Sequence, residues 1–243
     1  MNLKNKVALV TGAGRRIGRA ISLELANQGT TIAVHYRTSH AEADAVVAEI
    51  KSNSGNAQTF HANLEHVAEI EQMVSEILDA FGRIDILVNS ASVFAPTPLE
   101  KITEHDWDAN LDTNLKAPFF LSKLAGAAMR KQGAGKIINL GDWAGIRPYK
   151  DYLPYSVSKS ALIGLTKALA KELAPEVQVN CIALGMVIPP ENYTKEEVER
   201  LVNRTLTKQM GTPEDVARAV VFFCETDFAT GAILKLEGGR LLV

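Results

Sequence analysis

Near its beginning the chain reads Val7-Ala-Leu-Val-Thr-Gly-Ala-Gly-Arg-Arg-Ile-Gly18. A run of apolar residues passes directly into glycines at 12, 14 and 18, and an amphipathic stretch follows them. Glycines between a strand and a helix allow the backbone to approach a pyrophosphate, and the first N–H groups of the helix point at that anion. The spacing is G-x-G-x-x-x-G, which differs from the common dinucleotide fingerprint. The stretch predicts a first βα unit that binds a nucleotide.

The rest of the chain continues this alternation of apolar runs and amphipathic stretches. Strands that alternate with helices are typical of a parallel sheet covered on both faces. We therefore expect an α/β fold, a doubly wound parallel sheet of about seven strands in one domain over residues 1–243. Strands are predicted at 7–10, 31–36, 57–60, 85–89, 136–140, 177–183 and 233–236, and helices at 16–27, 41–52, 67–81, 103–114, 117–131, 155–173, 195–206 and 213–225.

Composition argues against several classes of function. The net charge is -2 and 22% of the residues are charged, so no basic surface for nucleic acid is indicated. The chain has no apolar run of about twenty residues, the length of a membrane span, and no small-residue cleavage site near Met1. Cys181 and Cys224 lie in apolar stretches typical of reduced buried thiols, and the histidines show no metal-ligand spacing. We expect a cytoplasmic protein without a metal site.

The end of the second predicted strand, Val34-His-Tyr-Arg-Thr-Ser39, indicates which nucleotide binds. An acidic residue there would hydrogen-bond a ribose diol and repel a 2′-phosphate, but the first acid is Glu42. Arg15 and Arg37, with the two hydroxyls that follow Arg37, can instead surround a phosphate. The sequence therefore favours NADPH over NADH. The alternative is that these residues are solvated loop charges.

One tyrosine, Tyr155, is followed four positions later by a lysine, Lys159. Residues at this spacing lie on one face of a helix, and the helical pattern from 160 to 173 places the pair in a first turn. A helix N-terminus and an adjacent ammonium both favour negative charge, so we expect a phenol pKa below its usual value of about 10. Tyr155 is therefore a candidate general acid, although a solvated tyrosine beside a solvated lysine would give the same pattern.

Together these motifs resemble the short-chain dehydrogenase/reductase family over essentially the whole chain. The resemblance rests on the glycine turn, on Asn89-Ser-Ala91 after the fourth strand, on Asn114, and on Tyr155 with Lys159. It implies a Rossmann-type fold, a nicotinamide cofactor and usually a homotetramer. It also implies that the tyrosine donates a proton, that the lysine binds the nicotinamide ribose and lowers the tyrosine pKa, and that the asparagine holds a relay water.

The glycine turn, the charge pattern and the resemblance predict the cofactor-binding residues. Two of them depart from the family's pattern, because its adenine-binding aspartate falls at Asn63 and its Pro-Gly after the sixth strand appears as Leu184-Gly185. The predicted set is Gly12, Gly14, Arg15, Arg16, Ile17, Gly18, His35, Tyr36, Arg37, Thr38, Ser39, Asn63, Leu64, Asn89, Ser90, Ala91, Ser92, Tyr155, Lys159, Gly185 and Val187.

A further departure lies at the end of the fifth strand, in Ile138-Asn-Leu-Gly-Asp-Trp143. Most of the family has there a serine that steadies a substrate carbonyl, whereas this chain has Asp142. An ionised carboxylate cannot donate to a carbonyl, and its charge opposes the oxyanion that forms in ketone reduction. It suits a substrate with ring N–H groups, or an imine nitrogen that must be protonated. The alternative is that Asp142 only caps a loop turn.

Asp142 beside Tyr155 is similar to the arrangement in the pteridine reductase branch of the family. Arg16, Ser92, Phe94 and the stretch from 35 to 37 also resemble that branch and the bacterial dihydromonapterin reductases within it. Phe94 is expected to stack on a pterin ring, and Arg16 to face both a cofactor phosphate and the polar edge of the pterin. The alternative is that Phe94 belongs to the core and Arg16 is a surface charge. The predicted substrate-binding residues are Arg16, Ser92, Phe94, Asp142, Tyr155, Gly185 and Met186.

Two segments are expected to border the substrate. A loop at 186–192, with helices around 186–210, lies where the family covers its substrate. The ending from Glu237 to Val243 also resembles the bacterial branch, and in the family such a tail often reaches a neighbouring subunit. Arg240 is therefore expected to border the site of another protomer.

These residues predict an NADPH-dependent reductase of dihydropteridines of the dihydrobiopterin, dihydromonapterin or dihydrofolate type. Hydride would pass to C6 or C7 of the pterin, and Tyr155, primed by Lys159 and relayed through Asn114 with Asp142 adjacent, would supply the proton. Two alternatives stay open. One is a carbonyl reductase of the same fold, such as a 3-oxoacyl-carrier-protein reductase, and the other is a nonenzymatic NADPH-binding regulator.

Overall fold

A computed structural model describes residues 1–189 and 193–243. The strands of this part of the chain are β1 Val7–Val10, β2 Thr31–Tyr36, β3 Ala57–His61, β4 Ile86–Asn89, β5 Gly135–Asp142, β6 Val177–Leu184 and β7 Ile233–Leu236. These seven parallel strands form one sheet in the order β3-β2-β1-β4-β5-β6-β7. This arrangement confirms the predicted α/β fold with a doubly wound parallel sheet.

Helices cover both faces of the sheet. They are α1 Arg16–Asn27, α2 His40–Ser52, α3 Val67–Phe81, α4 Glu104–Leu111, α5 Ala117–Gln132, α6 Leu153–Glu172, α7 Lys195–Val202 and α8 Pro213–Glu225. One apolar layer joins the sheet to α1, α2 and α8, around Ile21, Val46 and Val220. The other joins it to α3, α5 and α6, around Met73 and Leu121. Strands buried on both faces need continuous apolar sequence, which β1 contains throughout and β4 contains up to Val88.

The strand order reverses at β1, which pairs with β2 on one side and with β4 on the other. Ligands of open α/β sheets bind at such a reversal, in the crevice beyond the carboxyl ends of the strands. The topology therefore brings the loops after β1, β2, β4 and β5 to one edge, where most of the predicted site residues lie. No helix in the described ranges is both long and apolar enough to span a membrane.

Four predicted boundaries differ from the structure by two residues or more. The strand predicted at 136–140 runs on to Asp142, because the ladder with β6 continues through two residue types that strands disfavour. The helix predicted from Tyr155 begins at Leu153, with Pro154 in the first turn, where the missing N–H costs nothing. The helix predicted to reach 114 ends at 111 and continues as a π-helical turn over 112–116. The helix predicted to reach 206 ends at 202.

Candidate active site

A cavity of about 970 Å³ opens along the carboxyl edge of the sheet. Its walls come from the ends of β1, β2, β4, β5, β6 and β7, and from the start of α6. Most of the predicted residues line it. These are Gly12, Arg15, Arg16, Ile17, Gly18, Tyr36, Arg37, Thr38, Ser39, Leu64, Ser90, Ala91, Ser92, Phe94, Asp142, Tyr155, Lys159, Gly185, Met186 and Val187.

The glycine turn is built without room for side chains. Gly12 has a φ of +63°, and a Cβ atom there would lie 3.2 Å from the Cα atom of Ala91. A Cβ atom on Gly18 would lie 2.2 Å from the carbonyl oxygen of Gly12, closer than any real contact. These two positions need glycine because the start of α1 packs directly on the strand end. Bare backbone therefore faces the cavity.

Arg16 is the first residue of α1, and it has a φ of +53°. A non-glycine residue in this left-handed region costs roughly 1–2 kcal/mol. The side chain is exposed and lines the cavity.

His35 was expected to contact the cofactor but is instead buried behind the glycine turn. Its Nδ1 atom accepts a hydrogen bond from the Gly12 N–H at 3.0 Å, and its Nε2 atom lies 3.1 Å from the carbonyl oxygen of Ala62. Burial lowers the pKa of His35 to about 4, which keeps the imidazole neutral near pH 7. The tautomer with a proton on Nε2 satisfies both contacts. His35 is therefore a positioning residue.

The arginines at the β2 end of the cavity have acidic neighbours. Arg37 forms an ion pair with Glu65 at 2.9 Å, and Arg15 lies 3.7 Å from Glu42. All four side chains are at least a quarter exposed, and exposed pairs of this kind contribute little stability. The guanidinium groups can exchange these carboxylates for a phosphate at small cost. Thr38 and Ser39 line the same part of the cavity.

Other polar groups near the middle of the cavity fit a nucleotide. Thr113 lies in the π-helical turn, lines the cavity, and has a buried hydroxyl without a hydrogen-bond partner among the described residues. Buried polar groups are rarely left unpaired, so this hydroxyl matches a polar ligand group. Thr11 positions the adjacent backbone, because its hydroxyl accepts from the N–H groups of Ser90 and Ala91 at 2.9 and 3.0 Å. The residues present therefore fit a dinucleotide.

Asp142, Tyr155 and Lys159 come together where β5 meets α6. The phenol of Tyr155 donates a hydrogen bond to Asp142 Oδ2 at 2.9 Å. Asp142 Oδ1 accepts from the backbone N–H of Ala144 at 2.7 Å, so the aspartate both caps a turn and contacts the phenol. Lys159 is buried and donates from Nζ to the carbonyl oxygen of Leu140 at 2.9 Å.

The expected lowering of the Tyr155 pKa is not what the structure indicates. Burial raises the pKa of Tyr155 well above its usual value, and the charge of Asp142 raises it further. Burial also raises the pKa of Asp142, against the hydrogen bonds from Ala144 and Tyr155. Burial lowers the pKa of Lys159, and the charge of Asp142 partly offsets this. The sequence shows the neighbouring ammonium but not the burial, which is the larger effect.

The side chain of Asn114 does not line the cavity. Its Oδ1 atom accepts from the Val93 N–H at 2.8 Å and from the Ser92 hydroxyl at 3.1 Å. Its Nδ2 group donates to the Val93 carbonyl at 3.0 Å and to Ser158 Oγ at 3.1 Å. With all four hydrogen bonds made, the side chain holds the 92–93 loop against α6. A relay water at Asn114 would therefore need its backbone carbonyl, in the π-helical turn.

Three other predicted cofactor residues lie outside the cavity wall. Gly14 faces α2, where a Cβ atom would lie 3.1 Å from the backbone nitrogen of Ala43. Asn63 accepts from the Glu65 N–H at 3.2 Å, while its neighbour Leu64 lines the cavity. Asn89 is buried and donates to Asn139 Oδ1 at 2.7 Å. These residues shape the loops that carry the lining residues.

Phe94 lies at the substrate end, with 46% of its surface exposed. Its ring stacks on Tyr152 with centroids 4.6 Å apart and meets the ring of Tyr155 edge-on at 4.7 Å. Tyr152 thus covers one ring face, and the exposed part of the Phe94 ring is available to a flat ligand.

Several lining residues were not among the predictions. Trp143, Tyr149 and Tyr152 lie beside Asp142 and Tyr155, and Trp143 Nε1 donates to the Tyr149 hydroxyl. Arg240, which is expected to border the site of another protomer, also lines the cavity of its own chain, with its guanidinium 4.7 Å from the centre of the Trp143 ring. In the sequence, the only indication of this aromatic part of the cavity wall is that Trp143, Tyr149 and Tyr152 lie close to Tyr155 in the chain.

The structure describes part of the loop at 186–192 that is predicted to cover the substrate. Met186, Val187 and Ile188 line the cavity, and residues 190–192 lie outside the described residues. Within the described ranges, no group of three or more His, Cys, Asp or Glu residues is placed to hold a metal ion.

Comparison with known proteins gives a family and two sets of relatives. The family model described as short chain dehydrogenase matches residues 6–200. A 3-oxoacyl-[acyl-carrier-protein] reductase of Synechocystis sp. is 38% identical, over 99% of this chain and 98% of that protein. The corresponding reductase FabG of Staphylococcus epidermidis is 35% identical, over 98% of this chain and 100% of that protein.

The similar solved structures include complexes with the nucleotide. FolM alternative dihydrofolate reductase 1 of Brucella canis, complexed with NADP, superposes with a TM-score of 0.94 at 32% identity, covering 100% of this chain and 96% of that one. A blue fluorescent protein from a metagenomic library, in complex with NADPH, superposes with a TM-score of 0.93 at 33% identity, covering 99% of each chain.

Proposed function

The chain belongs to the short-chain dehydrogenase family, and on that premise we propose that it is an NADPH-dependent reductase that transfers hydride to a dihydropteridine. The observation that carries the proposal is the hydrogen bond from the Tyr155 phenol to Asp142 at the end of β5. In the family's ketone reductases a serine stands at this place, and its hydroxyl steadies the oxyanion without giving up its proton. A buried carboxyl group can hand its proton over, which suits a ring nitrogen that must be protonated.

The cofactor would lie along the carboxyl edge of the sheet. The Gly12–Gly18 turn and the start of α1 would hold the pyrophosphate, and Arg15 and Arg37 the 2′-phosphate. Lys159, which is buried and reaches from α6 to the Leu140 carbonyl oxygen of β5, would hold the nicotinamide ribose. When bound, the nicotinamide supplies the hydride.

The protein's own residues would control the proton. Burial raises the pKa of both Asp142 and Tyr155, so each group tends to keep a proton that an exposed side chain would release sooner. We assign the transferable proton to this pair: the carboxyl group of Asp142 delivers it to the ring nitrogen, and the phenol at 2.9 Å orients that carboxyl group. Solvent then restores the proton. The exposed part of the Phe94 ring would stack on the pteridine ring.

A panel of substrates tests this proposal. Oxidation of NADPH is followed by absorbance with dihydrobiopterin, dihydromonapterin, dihydrofolate and an acetoacetyl thioester, each with the wild type and with Asp142→Ser. We expect the wild type to reduce the dihydropteridines and Asp142→Ser to lose that activity. If the wild type reduces only the thioester, the substrate assignment is wrong.

The second candidate is a 3-oxoacyl-carrier-protein reductase. Its support is the identity of 35–38% to two such enzymes over nearly the whole chain. Against it stands Asp142 in place of the family's serine. The thioester in the panel distinguishes the two, and Asp142→Ser should favour the thioester because serine restores a neutral donor.

A further inference from the structure

A cationic side chain lines the cavity beside Trp143 and has no role in the chemistry above. Arg240 begins a short 3₁₀ turn, Arg240–Leu242, and lines the cavity. Its guanidinium lies 4.7 Å from the centre of the Trp143 ring, and Trp143 directly follows Asp142 in the chain. The charge therefore stands beside the substrate end of the cavity, not at the end lined by Arg37.

The contacts of Arg240 leave most of its donors available. Stacking on an aromatic ring holds the guanidinium plane and leaves its edge open. Nη1 donates to the carbonyl oxygen of Leu201 at 3.4 Å, which is a long hydrogen bond. Among the described residues, no carboxylate lies within 4.0 Å of this guanidinium. The nearby Glu237 is engaged by the N–H of Leu241 at 2.9 Å.

Two further arginines lie near Arg240. Burial lowers the pKa of the Arg240 guanidinium, the charge of Tyr149 raises it, and the charges of Arg204 and Arg147 lower it further. Like charges in one place are unfavourable, and a bound anion would relieve that repulsion. A guanidinium edge matches a carboxylate in two parallel hydrogen bonds.

We propose that Arg240, held on Trp143, is a carboxylate-binding subsite that selects dihydropteridines with an acidic side chain, of the dihydrofolate type, over those with a neutral hydroxyalkyl side chain. The inference rests on the proposed function, because it takes the pteridine ring to lie between Phe94 and the reacting pair. The catalytic residues contact the pteridine ring, and Arg240 would select the side chain that the ring carries. The competing explanation is that Arg240 only supports Trp143.

The test compares two substrates in matched variants. Arg240→Met keeps an unbranched stem over Trp143 and removes the charge, and Arg240→Lys keeps the charge without the planar fork. Arg218→Met, on the exposed surface of α8, is the control. We expect Arg240→Met to lower kcat/KM for dihydrofolate by roughly ten-fold or more, through KM, and Arg240→Lys by less. The value for dihydrobiopterin should change by less than about two-fold in all three variants.

A second measurement uses the wild type alone. Salt weakens the binding of a carboxylate to an arginine. KM for dihydrofolate should therefore rise with salt concentration, while KM for dihydrobiopterin stays constant. Equal losses on both substrates in Arg240→Met, or no loss on either, would overturn the subsite and leave the pteridine reductase standing. A wild type that reduces neither pteridine would overturn the proposed function, and the subsite with it.

Discussion

The phenol of Tyr155 donates a hydrogen bond to a carboxyl group that is itself buried, and this changes what each group can do at neutral pH. An isolated Tyr–Lys pair at helical spacing suggests a phenol ready to ionise. Burial disfavours charge on both groups, and ionising both would place two negative charges within one hydrogen bond, so the pair keeps at least one proton. The pair acts as one unit that holds and orients a proton.

Removing the phenol should affect turnover and not cofactor binding. We expect Tyr155→Phe to lower kcat by at least about 100-fold, because the carboxyl group loses the partner that orients it. The affinity for NADPH, measured by fluorescence titration, should stay within about three-fold. Tyr152→Phe is the control, since it keeps the ring that stacks on Phe94 and should retain most of the activity. Full activity of Tyr155→Phe would remove the phenol from the mechanism.

His35 makes stability depend on acid pH. Its pKa is lowered from 6.5 to about 4 in the folded protein, so the unfolded chain binds a proton first as the pH falls. The contribution of neutral His35 to the free energy of unfolding is fully present above pH 6.5. It falls by about 3 kcal/mol as the pH decreases from 6.5 to 4. In His35→Gln, urea unfolding should show a smaller loss of stability over that range. Exposed His105→Gln should behave like the wild type, and an unchanged slope in His35→Gln would contradict the assignment.

At the scale of secondary-structure elements, the β1–α1 turn depends on close backbone packing. A Cβ atom on Gly18 would lie 2.2 Å from the Gly12 carbonyl oxygen, whereas a Cβ atom on Gly164 in α6 meets nothing within 4 Å. We expect Gly18→Ala to weaken NADPH binding at least about ten-fold and to destabilise the fold by roughly 1–3 kcal/mol. Gly164→Ala should stabilise it by about 0.5–1 kcal/mol. Equal behaviour of the two variants would refute this account of the turn.

The bounds of most elements could be predicted from apolar periodicity, and the exceptions have physical causes. Residues Gly141 and Asp142 do not look like a strand, yet pairing with β6 carries β5 through them. This places Asp142 on a rigid ladder, opposite Leu184, and not in a loop. Periodicity reports local preference, whereas a ladder depends on a partner that is distant in the chain.

At the scale of the whole molecule, the carboxyl edge of one parallel sheet collects residues from six strand ends around a single cavity. Motifs with a fixed spacing, such as the glycine turn, could be assigned to this edge from the sequence. Contacts that depend on the path of the chain could not. The stacking of Arg240 on Trp143, nearly a hundred residues away, and the burial of His35 are of this second kind.

The homotetramer that the family resemblance implies stays a prediction. Leu153 and Val157 lie four residues apart on α6, and both are about two-fifths exposed, at 41% and 39%. Apolar side chains at this spacing form one stripe, which suits an interface between copies of the chain. We expect Val157→Glu to lower the mass measured by light scattering, while the exposed Lys167→Glu leaves it unchanged. A monomeric wild type would contradict the prediction.

The most direct test of the central claim is the rate of NADPH oxidation with dihydropteridines in Asp142→Asn, compared with the wild type. Asparagine keeps the shape and the hydrogen-bonding oxygen but cannot hold a transferable proton. We predict that kcat falls at least about 100-fold while NADPH affinity is unchanged. A variant that reduces dihydropteridines as fast as the wild type would contradict the role of Asp142.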